Sequence, residues 1–66
     1  MKIKINGTEK EYSNPIVLQE LVDQFCKNSK HIIAELNGEI VNASRWKNQS
    51  ITDGDNIELV NFVGGG

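Results

Sequence analysis

The stretch NPIVLQELVDQFCKN, residues 14–28, carries the helical period on which the fold turns. Leu18, Leu21, Val22 and Phe25 fall at i, i+3, i+4 and i+7, on one face of a helix. Asp23 and Gln24 take part of the opposite, wet face. Asn14 is placed to cap the start, with Pro15 at the first helical position, where its missing N–H is not needed. Asn28 and Ser29 end the segment, with Lys27 and Lys30 suited to the negative helix end. A single apolar stripe of this kind needs a partner surface, and the flanking segments offer strands.

Upstream, MKIKIN (residues 1–6) alternates branched apolar and charged residues, with Ile3 and Ile5 on one side and Lys2 and Lys4 on the other. Asn6-Gly7 is a tight-turn pair, because both residues tolerate positive φ. A second strand follows through Thr8 to Ser13, anchored by Tyr12. Downstream, HIIAELNG (residues 31–38) alternates Ile32, Ala34 and Leu36 with Ile33 and Glu35, then turns at Asn37-Gly38. Glu39, Ile40 and Val41 return briefly as a strand. Residues 42–50 read as an irregular crossing anchored by Trp46, expected to be partly buried. Asp53-Gly54-Asp55 makes a third turn, and residues 57–62 form a final strand. The order is hairpin, helix, strands. It predicts an α+β domain of the β-grasp, or ubiquitin-like, type: a mixed sheet of four to five strands packed on one helix. The domain spans residues 1–61, with 62–66 as a C-terminal tail.

Sixty-six residues make one small domain with little core to spare for a deep substrate pocket. A self-contained enzyme is therefore not expected. The hydrophobic share of 38% and charged share of 24% are those of a soluble globular protein. Seven basic and nine acidic residues leave a net charge of −2, which speaks against a nucleic-acid partner. No stretch is long and apolar enough to span a membrane, and the N-terminus lacks a signal-peptide pattern. The single cysteine, Cys26, permits no internal disulfide, and a reducing, cytoplasmic location is expected.

Few side chains suggest chemistry of their own. Cys26 sits at the edge of the helical stripe and reads as a small buried hydrophobe, with only His31 available as a base. His31 has no second ligand at a metal-binding interval and reads as a solvated loop residue. Asp53 and Asp55 lack the longer series of oxygen ligands that calcium needs. No metal site is expected. The glycines at 64–66 are followed by neither a helix nor a lysine, so they form no phosphate-cradling loop.

The last strand is more informative. With Ile57 and Leu59 pointing inward, Glu58, Val60 and Phe62 point outward by the two-residue period. Val60 and Phe62 would then form an apolar strip leading into Gly64, Gly65 and Gly66. Three of the six glycines stand at these last positions. Such a tail is expected to be poorly ordered before it meets a partner, and it reads either as a frayed end or as the working part.

Several elements taken together resemble the ThiS family of small β-grasp sulfur carriers. They are MKIKING at the start, LQELV in the helix, LNGEIV (residues 36–41), Trp46, DGDNIELV (residues 53–60) and the final GGG. The resemblance covers the whole chain. It implies that a ubiquitin-activating-like adenylyltransferase of ThiF type transfers AMP from magnesium-ATP to the carboxylate of Gly66. It further implies that a persulfide sulfur donor displaces the AMP, and that the thiocarboxylate left on Gly66 supplies sulfur to a thiazole synthase of ThiG type. The chain would act as a cosubstrate, with no cofactor of its own and no catalytic residue. Gly64 and Gly65 would form the thin tail, and Glu58, Val60 and Phe62 the docking surface.

Two positions depart from the family pattern. Val17 stands where a threonine-type cap is common, and Asn42 where proline is frequent. The resemblance leaves other readings open: the sulfur carrier of molybdopterin synthesis, a protein modifier conjugated through Gly66, and an interaction module with an idle tail.

Overall fold

A computed structural model describes residues 1–25 and 31–61. Strands β1 (Lys2–Ile5) and β2 (Thr8–Glu11) form the expected hairpin, with Lys2 opposite Glu11 and Ile5 opposite Thr8. Its turn places Asn6 at φ 50° and Gly7 at φ 82°. The second hairpin, β4 (Ile32–Leu36) and β5 (Glu39–Val41), repeats this with Asn37 at 51° and Gly38 at 87°. Both turns have the positive φ at two successive positions that matches strand twist. The final strand β7 (Asn56–Asn61) inserts between β1 and β4, parallel to the first and antiparallel to the second. The sheet order is thus β2-β1-β7-β4-β5, five strands as expected. The C-terminal strand lies at the centre of the sheet.

Helix α1 (Leu18–Phe25) covers one face of that sheet. Leu18, Leu21 and Val22 are buried with Ile3, Ile32, Ala34, Ile57 and Leu59. Each of the larger side chains contributes about 1.5–3 kcal/mol by leaving water. These are the positions that the two periodicities assign to the interior.

The helix start differs from expectation. It begins at Leu18, not at Asn14, because Ile16 and Val17 form a short strand, β3. That strand pairs with β6 (Ser50–Ile51), Ile16 opposite Ile51. The first helical N–H has a backbone partner across the β3–β6 pair: Leu18 N–H donates to the Gln49 carbonyl at 2.8 Å. The expected helix end at Asn28 and Ser29, and Cys26, lie outside the described residues.

Phe25 also departs from the core assignment. It has the right phase but sits in the last turn of the described helix, and is 44% exposed. It borders a small depression with Ile5, Tyr12 and Leu21 rather than filling the interior.

The crossing segment is more regular than expected. Residues Ala43–Asn48 form a 3-10 helix packed against α1. Trp46 is only 3% exposed, a deeper burial than expected, and its indole N–H donates to the Val41 carbonyl at 2.9 Å. Asn42 precedes this helix at φ −65°, a value that proline also adopts, so its departure from the family pattern leaves the backbone path unchanged.

The Asp53-Gly54-Asp55 turn is present, with Gly54 at φ 88°. Its carboxylates are committed to the fold. Asp53 accepts the Lys2 N–H at 2.7 Å, and Asp55 accepts the Thr52 N–H at 2.7 Å.

Candidate functional site

The geometry that matters is the outer face of the sheet and the point where β7 ends. Ile57 and Leu59 are buried, so Glu58 and Val60 point away from the helix, as the period required. Val60 is 48% exposed. Phe62, Gly64, Gly65 and Gly66 lie outside the described residues.

Pairing of β7 with β4 adds members that the sequence reading did not assign. Ile33 lies directly opposite Val60 and is 36% exposed, so the two make an apolar cross-strand pair at the tail end of the strand. One step back, Glu35 faces Glu58, and Ile40 of β5 faces Glu35 from the other side. Ile40 is 67% exposed. The available signal was the run IIAEL itself, whose outward parity holds Ile33 where a solvated face would favour a polar residue.

Charge is distributed unevenly over this face. On the β1–β2 half, Lys2 faces Glu11 and Lys4 faces Glu9, so opposite charges meet. On the β7–β4 half, two carboxylates meet, an arrangement that disfavours the free sheet by a few tenths of a kcal/mol to about 1 kcal/mol. The apolar pair and the acidic pair together make a patch unlike the rest of the face.

The base of the tail is held from both sides. Pairing with β4 runs from Leu36 opposite Ile57 to Ile32 opposite Asn61. On the other side, the Lys4 N–H of β1 donates to the Asp55 carbonyl at 3.0 Å, and the N–H of Asn6, in the turn that follows β1, donates to the Ile57 carbonyl at 2.9 Å. A segment leaving this strand starts from a fixed position in the sheet.

His31 is exposed, in keeping with its reading as a surface residue. Among the described residues no group of His, Cys, Asp and Glu side chains is arranged to hold a metal ion. Nor is any described helix long and apolar enough to cross a membrane.

The ThiS family model matches residues 3–66. The chain belongs to the ThiS family. A protein described as sulfur carrier protein ThiS, from Bacillus subtilis (strain 168), is 32% identical over 65 residues, covering 97% of this chain and 98% of that one. A thiazole synthase from Paramagnetospirillum magneticum (strain ATCC 700264 / AMB-1) is 36% identical over 66 residues. The whole ThiS-family chain spans only 20% of that relative's length. The crystal structure of a thiamine biosynthesis protein (ThiS) from Geobacter metallireducens superposes with a TM-score of 0.83 at 26% identity, each chain covered in full. The five-stranded sheet with one helix is the β-grasp arrangement expected of this ThiS-family sequence.

Proposed function

We propose that the chain is a sulfur carrier of thiamine biosynthesis and that Gly66 is where the sulfur rides. The observation that carries this reading is the extent of the family match. It runs through Gly66, so the glycine tail belongs to the family pattern and is not an appendage to it.

The chemistry follows from the weakness of a carboxylate as an electrophile. An adenylyltransferase of ThiF type joins the Gly66 carboxylate to the α-phosphate of magnesium-ATP, releasing pyrophosphate. The acyl adenylate carries a good leaving group. The terminal sulfur of a protein persulfide attacks the carbonyl carbon, and AMP departs with the bonding electron pair. A second thiol then cuts the sulfur–sulfur bond, leaving a thiocarboxylate on Gly66 and a disulfide on the donor side. Cys26 takes no part. The chain is a cosubstrate whose partners supply the catalysis.

Glycine suits this task because it has no Cβ: the tail is thin and its backbone reaches angles closed to other residues. Ordering such a tail in a partner's channel costs entropy, which docking elsewhere must offset. Val60 and Glu58, extended by Ile33, Glu35 and Ile40 and continued by Phe62, form the docking surface. A complementary partner surface is apolar, with a basic side chain set between Glu35 and Glu58. Val60→Asp is expected to raise the KM of the carrier in adenylation at least about tenfold, the equivalent of roughly 1.4 kcal/mol. Val60 is half-exposed, so the thermal unfolding curve should move little. An unchanged KM would remove this face from the docking surface.

The thiazole branch is supported by the relative in which a segment alignable with this whole chain lies within a protein described as thiazole synthase. Reconstitution tests it. With a ThiF-type enzyme, magnesium-ATP, a persulfide donor and a ThiG-type synthase, the loaded chain should support thiazole formation. Transfer to the large subunit of molybdopterin synthase, with none to thiazole synthase, would overturn the assignment.

A further inference from the structure

The Asn6 side chain makes contacts that its turn does not require. Strand β1 ends at Ile5 and the chain turns away, while β7 continues for four more residues to Asn61. The side chain fills the position that β1 vacates. Asn6 Nδ2 donates to the Leu59 carbonyl at 3.2 Å, and the Leu59 N–H donates to Asn6 Oδ1 at 2.8 Å. A primary amide thus presents one donor and one acceptor to one residue, as a peptide group of a neighbouring strand would. Three alternate carbonyls, of Asp55 just before β7 and of Ile57 and Leu59 within it, are engaged in succession by the Lys4 N–H, the Asn6 N–H and the Asn6 side chain.

Turn geometry alone does not call for this residue. Glycine would satisfy φ 50° at least as well as asparagine. The amide also acts at a particular place. Leu59 precedes the exposed Val60, and Asn61 is the last residue of the strand. Without the side chain, the Leu59 N–H and carbonyl would lose these partners, and beyond Ile57 the strand would be held by its pairing with β4 alone.

We propose that Asn6 is a positioning residue for the C-terminal segment, fixing the direction in which β7 delivers Val60 and the residues beyond it to a partner. The proposal rests on the carrier reading. Docking then meets a strand end already in place, and the ordering cost falls on the tail alone.

Asn6→Gly tests this, because it removes the amide and keeps the turn. Adenylation by a ThiF-type enzyme should show a KM for the carrier raised three- to tenfold, with kcat changed less than twofold. Asn6→Asp keeps an acceptor for the Leu59 N–H but loses the donor to the Leu59 carbonyl, and its KM should also rise. Hydrogen exchange read on the same proteins should show the Leu59 amide losing protection while the Ala34 amide keeps it. An unchanged KM in a folded Asn6→Gly protein would overturn the proposal. So would uniform loss of protection across the sheet, which would make Asn6 a residue of general stability. Failure of the wild-type chain to be adenylated by an enzyme active on another carrier would instead overturn the carrier reading, and the positioning role with it.

Discussion

Removal of Gly65 and Gly66 is expected to abolish sulfur loading and to leave the folded domain unchanged. The two consequences separate because of where the residues stand. The described sheet ends at Asn61, so the deletion removes no rung of its ladder and no member of its core. The lost function has a chemical cause. In the proposed reaction, Gly66 takes with it the acyl group that would receive AMP and then sulfur, and the shortened tail would carry its carboxylate two residues short of the partner's reacting centre. Fully extended chain spans at most about 3.3–3.6 Å per residue, so the shortfall approaches 7 Å, well beyond near-attack distance. Pyrophosphate release dependent on the carrier should fall to background, while urea unfolding midpoints agree with wild type. Retained loading would return the tail to an idle end and favour an interaction module.

The second large effect is on stability. Ile57→Ala is expected to cost about 2–5 kcal/mol, the range for truncating a fully buried branched side chain. Ile57 is completely buried in the central strand, opposite Ile5 on one side and Leu36 on the other. A domain of 66 residues has about 3–10 kcal/mol in total at roughly 0.05–0.15 kcal/mol per residue. The loss is therefore a large part of the whole, and the urea midpoint should fall by about 1 M or more. A change under about 1 kcal/mol would mean that the centre of the sheet collapses around the missing methyls, contrary to its packing on α1. Because β7 is also the base of the tail, this variant should lose loading through unfolding. Val60→Asp should lose it through docking with the fold intact.

Much of this structure was legible in local patterns. The Asn-Gly pairs marked both hairpins because positive φ at two successive positions is a property of those residues themselves. Leu18, Leu21 and Val22 identified the buried helix face, and alternation in IELV set the parity of Glu58 and Val60. What escaped notice depends on partners distant in sequence. Ile16 and Val17 are too few to show a period, and their strand exists because Ser50 and Ile51 lie alongside; Asn14-Pro15 meanwhile imitates a helix start. The Gln49 carbonyl that receives the first helical N–H cannot be seen from the helix sequence.

The site shows the same division. Glu58 and Val60 followed from strand parity, whereas Ile33 and Ile40 join them through a register that only the assembled sheet defines. Asn6 was read as a turn former, and its hold on Leu59 spans 53 positions. Phe25 carries the phase of a core residue, yet in the last turn of the described helix it stays 44% exposed.

The central claim, that this chain carries sulfur on Gly66, is tested most directly by an intact-mass spectrum. The full chain is incubated with a ThiF-type enzyme, magnesium-ATP, a persulfide donor and a thiol. The expected product is heavier by the replacement of one oxygen with sulfur. The gain should require ATP, which separates it from oxidation of Met1, Cys26 or Trp46, and fragmentation should place it on Gly66. No such gain, with the enzyme verified on another carrier, would contradict the account. A lysine conjugate in its place would contradict it equally, by making Gly66 the point of attachment of a protein modifier.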